Sequence, residues 1–84
     1  MDYKEAAKDL WNMGETKIGK HTYHHQVKAY EEDNEEYGID GGRISKLFIF
    51  DGETTVASFD RGEWDVEPKG TAKTLADILV KRYN

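Results

Sequence analysis

The chain has no cysteine, one proline and no uninterrupted apolar run long enough to cross a bilayer. The missing thiols exclude disulfides, thiolate metal sites and cysteine nucleophilic catalysis. A single proline, Pro68, leaves backbone N–H groups free for pairing almost everywhere. The first residues are charged from Asp2 onward and show neither a signal-peptide pattern nor a membrane span, so a cytoplasmic location is expected. Net basic charge is also lacking. Residues 31–67 carry twelve Asp/Glu against Arg43, Lys46 and Arg61, a net of −9, between an N-terminal third at +1 and a C-terminal segment at +3. Phosphate-backbone binding needs concentrated positive charge, so nucleic acid is not an expected partner.

What is present suits one small α+β domain. Eighty-four residues with ten aromatics are enough for a single core. The organising stretch is Tyr37-Gly38-Ile39-Asp40-Gly41-Gly42-Arg43-Ile44-Ser45-Lys46-Leu47-Phe48-Ile49-Phe50. Its glycines allow the chain to reverse, and the run from Ile44 has the β preference of a strand with apolar groups on both faces. Upstream, residues 15–18 and 21–31 read as two strands around Gly19 and Lys20. In the second of these, Tyr23, Val27 and Ala29 mark the inner face. Downstream, Asp51-Gly52 signals a hairpin into a strand at residues 55–59.

Helices are expected at both ends. Asp2 and Glu5 form a capping-box pattern ahead of Tyr3, Ala6, Ala7, Leu10 and Trp11, with Gly14 as the stop. Thr71 can cap a second helix whose stripe is Ala72, Leu75, Ile78, Leu79 and Tyr83. Residues 31–36 are too acidic to pack and read as a solvated loop. Residues 60–68 are expected to leave the sheet, with Trp64 folding back as a lid on the core. The predicted order is α-β-β-β-β-α: about four antiparallel strands with both terminal helices on one face.

Few residues carry a chemical signal. His21, His24 and His25 have helical metal-ligand spacing, but on a strand His21 and His25 stand ~13 Å apart and His24 faces the other way. Laid over a calcium loop, residues 33–44 put Ile44 where a bidentate glutamate is required. Asp40-Gly41-Gly42-Arg43 lacks the helix that follows a phosphate loop, so Arg43 is expected to pair with a carboxylate. Antiparallel pairing brings Arg43 and Asp60 to the same end of the sheet, where Arg61, Asp65 and Asp40 could join them in an ion-pair network. No nucleophile and base stand together, and no metal, cofactor or small-molecule ligand is indicated.

Two motifs resemble a family of short, uncharacterised bacterial and phage-associated proteins. They are Tyr37-Gly38-Ile39-Asp40-Gly41-Gly42-Arg43-Ile44-Ser45-Lys46-Leu47, and Phe59-Asp60-Arg61-Gly62 with Trp64-Asp65-x-Glu67-Pro68. The resemblance covers roughly residues 15–83, with the helix of residues 1–13 as an addition. It implies a compact domain in a bacterial or mobile-element setting, and no mechanism.

The functional expectation is a non-enzymatic protein-interaction domain that self-associates. Its binding residues would be Arg43, Phe48, Phe50, Arg61 and Trp64: the phenylalanines lie on one strand face, and Arg61 and Trp64 are favoured interface types. The alternative is an acidic decoy that mimics nucleic acid and occupies a DNA-binding protein.

Overall fold

The computed structural model describes residues 11–84. Five antiparallel strands form one meander in sequential order: β1 (Trp11–Ile18), β2 (His21–Ala29), β3 (Ile44–Asp51), β4 (Thr54–Asp60) and β5 (Glu63–Val66). Among the described residues one α-helix, α1 (Thr71–Tyr83), follows and packs across β2, β3 and β4. The α+β class and antiparallel sheet agree with the sequence reading. The strand count does not.

The differences lie at the two sheet edges. Trp11 and Met13, expected in a helix, belong to β1, whose register pairs Trp11 with Lys28 and Ile18 with His21. The rest of the expected first helix, residues 2–10, lies outside the described residues. Gly14, read as a helix stop, is a strand residue opposite His25. The fifth strand arises because Arg61 and Gly62 both take positive φ, 47° and 91°, the conformation of a tight hairpin turn. Residues 63–66 therefore return along β4 instead of leaving the sheet. Four residues rich in charge are too short a pattern to announce a strand.

The core forms on the face that α1 covers. Period-2 alternation directs Tyr23, Val27, Leu47, Ile49, Ala57 and Phe59 to that side, where Ala72, Leu75, Ala76 and Leu79 meet them. Each large aliphatic side chain fully buried here contributes about 1.5–3 kcal/mol of gross burial energy. Ile78, expected in the helical stripe, is instead 47% exposed, and Ala76 takes the inward position. Thr71 is the first helical residue rather than the cap; Gly70 holds that place with no side-chain capping bond.

A buried histidine shares the inner face. His25 is buried, and its Nδ1 has no hydrogen-bond partner among the described residues. Its ring occupies the space beside Gly14: a Cβ there would stand 2.8 Å from His25 Cε1. Burial lowers the His25 pKa below its ordinary value, and the nearby Arg82 charge lowers it further. The unfolded chain therefore binds the proton more tightly than the folded one, and stability rises with pH through this titration.

The pH dependence can be measured directly. Stability from urea unfolding should be level above about pH 7 and fall as pH drops through 6.5, the ordinary histidine value, at up to about 1.4 kcal/mol per pH unit for one proton. His25→Leu should remove this share of the slope. An unchanged slope in the variant would show that His25 is not the group responsible.

Candidate functional site

The sheet face opposite α1 carries an ordered pattern. One row of cross-strand neighbours, Met13, Gln26, Phe48, Ser58 and Val66, runs over all five strands and holds no charge. The adjacent row is Trp11, Lys28, Lys46, Asp60 and Glu63, with cations toward β2 and β3 and carboxylates toward β4 and β5. On the other side lie Glu15, His24, Phe50 and Thr55. Phe48 stacks against both Trp11 and Phe50, each with a centroid separation of 6.4 Å. Met13 is 70% exposed. Apolar side chains thus continue from the half-buried rings into solvent.

At one end of this face is a cavity of about 480 Å³. The end of β2 supplies Lys28 and Tyr30, and the following loop supplies Asn34 and Tyr37. The β2–β3 register slips between Lys28 and Ala29, so Lys46 pairs with Lys28 and Ile44 with Ala29. Such a bulge re-aims side chains, and Ser45 and Lys46, consecutive in sequence, both line the cavity. Arg61 closes the remaining side from the β4–β5 turn, where its backbone N–H donates to the Ser45 carbonyl at 3.0 Å.

The wall formed by residues 30–43 is built, not slack. Tyr30 N–H donates to Arg43 O, Asn34 N–H to Gly42 O and Gly38 N–H to Asn34 O. The Asn34 side-chain oxygen accepts from the N–H groups of Glu36 and Tyr37. Gly38 is required because a Cβ would overlap the backbone of Gly42 and stand 2.8 Å from Asn34 O. The acidic residues 31–36 are exposed, as their composition implied, but they are carried on this hydrogen-bonded turn.

The five expected binding residues separate into three groups. Phe48 and Phe50 share the open face. Arg61 lines the cavity. Trp64 lies on the core side, edge-on to Phe59 at 5.1 Å. Arg43 faces the C-terminal end of α1, donating from Nη2 to the Tyr83 carbonyl at 2.7 Å. The ion-pair network and the Arg43–carboxylate pair are corrected accordingly: among the described residues neither Arg43 nor Arg61 has a carboxylate within 4.0 Å. Asp60 neighbours Lys46 instead, at 3.6 Å. A helix-end carbonyl is a partner that sequence spacing cannot reveal.

The histidines occupy three unlike environments. His21 hydrogen-bonds Asp51 at 2.8 Å, His24 lies 3.8 Å from Glu15, and His25 is buried. Among the described residues no group of three His, Asp or Glu side chains could hold a metal, and no helix is long and apolar enough to cross a membrane.

The match to known families covers this whole arrangement, from the start of β1 to the end of α1. The chain belongs to DUF7678, a domain of unknown function. The match runs over residues 10–84, the range that contains the sheet, the cavity-lining residues and the helix. No curated protein and no solved structure matches the chain. Membership agrees with the resemblance to an uncharacterised family and assigns no activity.

The turn behind the cavity is pinned by Asn84. Its Oδ1 accepts from the N–H groups of Arg43 and Ile44, and its Nδ2 donates to Ile39 O. Asn84→Ala should lower stability by about 1–3 kcal/mol, since three backbone groups, two of them on the buried Ile39 and Ile44, lose partners. In hydrogen exchange, the Arg43 and Ile44 amides should lose protection more than those of β4. Equal loss throughout would show that the pin is not local.

Proposed function

We propose that this domain is a protein-interaction module that self-associates through the open face of its sheet. The observation that carries this reading is the uncharged cross-strand row centred on Phe48, with Trp11 and Phe50 stacked on either side. Apolar rings on a solvated sheet face lose unfavourable hydration when a second surface covers them.

A second copy fits because the pattern is self-complementary. A two-fold axis parallel to the strands and passing over β3 sets β1 against β5 and β2 against β4 of the partner. Phe48 then meets its own equivalent, Met13 meets Val66, and Gln26 meets Ser58. Lys28 of one copy lies opposite Asp60 of the other. Lys46 falls near its own equivalent, a repulsion reduced by the Asp60 beside it within each copy. Two sheets pack this way about 10 Å apart. Five strands at ~4.8 Å spacing and six residues at ~3.3 Å rise give a face of roughly 20 by 24 Å. Two such faces bury about 1,000 Å², near the lower limit for a specific interface, so a weak, reversible dimer is expected. That suits a module assembled on demand in the bacterial or phage setting suggested by its motifs.

The acidic-decoy reading draws on residues 31–36 being held by backbone hydrogen bonds. Those carboxylates occupy one turn rather than a face-wide array, which makes it the weaker alternative.

Sedimentation equilibrium supplies the test. The natural chain should show concentration-dependent dimerisation at tens to hundreds of micromolar, and Phe48→Glu should be a folded monomer. A wild-type monomer at millimolar concentration would sink the proposal. So would NOE contacts within a monomer between residues 1–10 and Phe48, because the face would then belong to the chain's own first segment.

A further inference from the structure

The cavity at the end of the open face has a composition that self-association does not explain. Three cations, Lys28, Lys46 and Arg61, line a space in which the nearest paired carboxylate is Asp60, 3.6 Å from Lys46. Among the described residues, Lys28 and Arg61 have no carboxylate within 4.0 Å. Lys28 Nζ instead rests over the rings of Trp11 and Tyr30, at 5.8 and 5.4 Å. Two of the three, Lys46 and Arg61, come from the most acidic segment of the chain, residues 31–67. The Debye length is about 8 Å at physiological salt, so a bound group would respond chiefly to the charges that line the cavity.

Two further observations point to a ligand. The Ser45 side-chain oxygen is buried without a hydrogen-bond partner at the cavity wall. Buried hydroxyls are usually paired, so an unpaired one beside cations suits an oxyanion. Arg61 also keeps its long cationic side chain at φ 47°, where glycine or asparagine would sit with less strain. Backbone strain of this kind clusters at functional sites. Tyr30 and Tyr37, 42% and 44% exposed, offer ring faces on the same cavity. Its 480 Å³ falls within the range of small-molecule pockets.

The geometry points to a binding site for a small phosphate monoester carrying a planar heteroaromatic ring, that is, a mononucleotide. The phosphate would sit among Lys28, Lys46, Arg61 and Ser45, with the base against Tyr30 or Tyr37. Ring stacking and phosphate pairing are both recurrent elements of nucleotide recognition. This site is additional to the dimer face, although Lys28 borders both.

The experiment is a titration of the full chain with AMP, inorganic phosphate and adenosine separately, followed by amide chemical shifts at low salt. AMP should shift the Ser45, Lys46 and Arg61 amides and bind more tightly than either fragment. Arg61→Asn keeps a residue suited to positive φ and removes the charge, and should weaken AMP binding about tenfold or more. Lys28→Gln should do the same through a different element of the fold. Phe48→Glu should retain AMP binding, which separates this site from dimerisation. No shift with millimolar AMP would overturn the proposal. Equal affinity in Arg61→Asn would do so too, as would phosphate or adenosine alone binding as tightly as AMP.

Discussion

The packing of β3 between its two neighbours, with α1 pressed on one side, is the constraint on which the rest depends. Leu47 and Ile49 are fully buried beneath the helix, while Phe48 and Phe50 project to the other face. Because strand side chains alternate, burying one set against α1 leaves the other set no choice of side. A one-residue slip would put the phenylalanines under the helix and leave Leu47 and Ile49 in solvent. Core energetics thus fix the open face without any direct contact to it.

The same strand sets the position of the cavity. Its entry is a bulge, and the loop of residues 30–43 must close over that irregular edge through its own hydrogen bonds and through Asn84. The cationic wall follows from this local departure from ladder geometry. A regular ladder would send Ser45 and Lys46 to opposite faces. At the opposite edge, the turn at Arg61 and Gly62 both adds β5 and turns a cation back toward β3. Sheet completion and site formation therefore share a few residues, and changes there affect both.

Much of the centre was legible because its signals are local and repeated. The β3–β4 hairpin rests on Asp51 and Gly52, and Gly52 has the expected positive φ of 61°. The alternation in β2 correctly marked Tyr23 and Val27 as inward. The edges were less legible. Trp11 fits an apolar helical stripe as well as a strand face, and only its pairing with Lys28 settles which. Trp64 is a strand residue because β4 offers a free edge, a condition absent from its own neighbours in sequence. Arg43 and Arg61 were noticed as cations, but one serves the end of a helix some forty positions away and the other a cavity.

By itself, the sequence determined the class of the fold, the inward set of the central strands and the solvent exposure of residues 31–36. These follow from periodicity and composition, which act over a few residues. Tertiary structure decided the fifth strand, the Asn84 pin, the uncharged row across the outer face and the meeting of Lys28, Lys46 and Arg61. Those depend on register and bulges between segments distant in the chain. Register is set by the combined burial of whole strands, so no single stretch contains it.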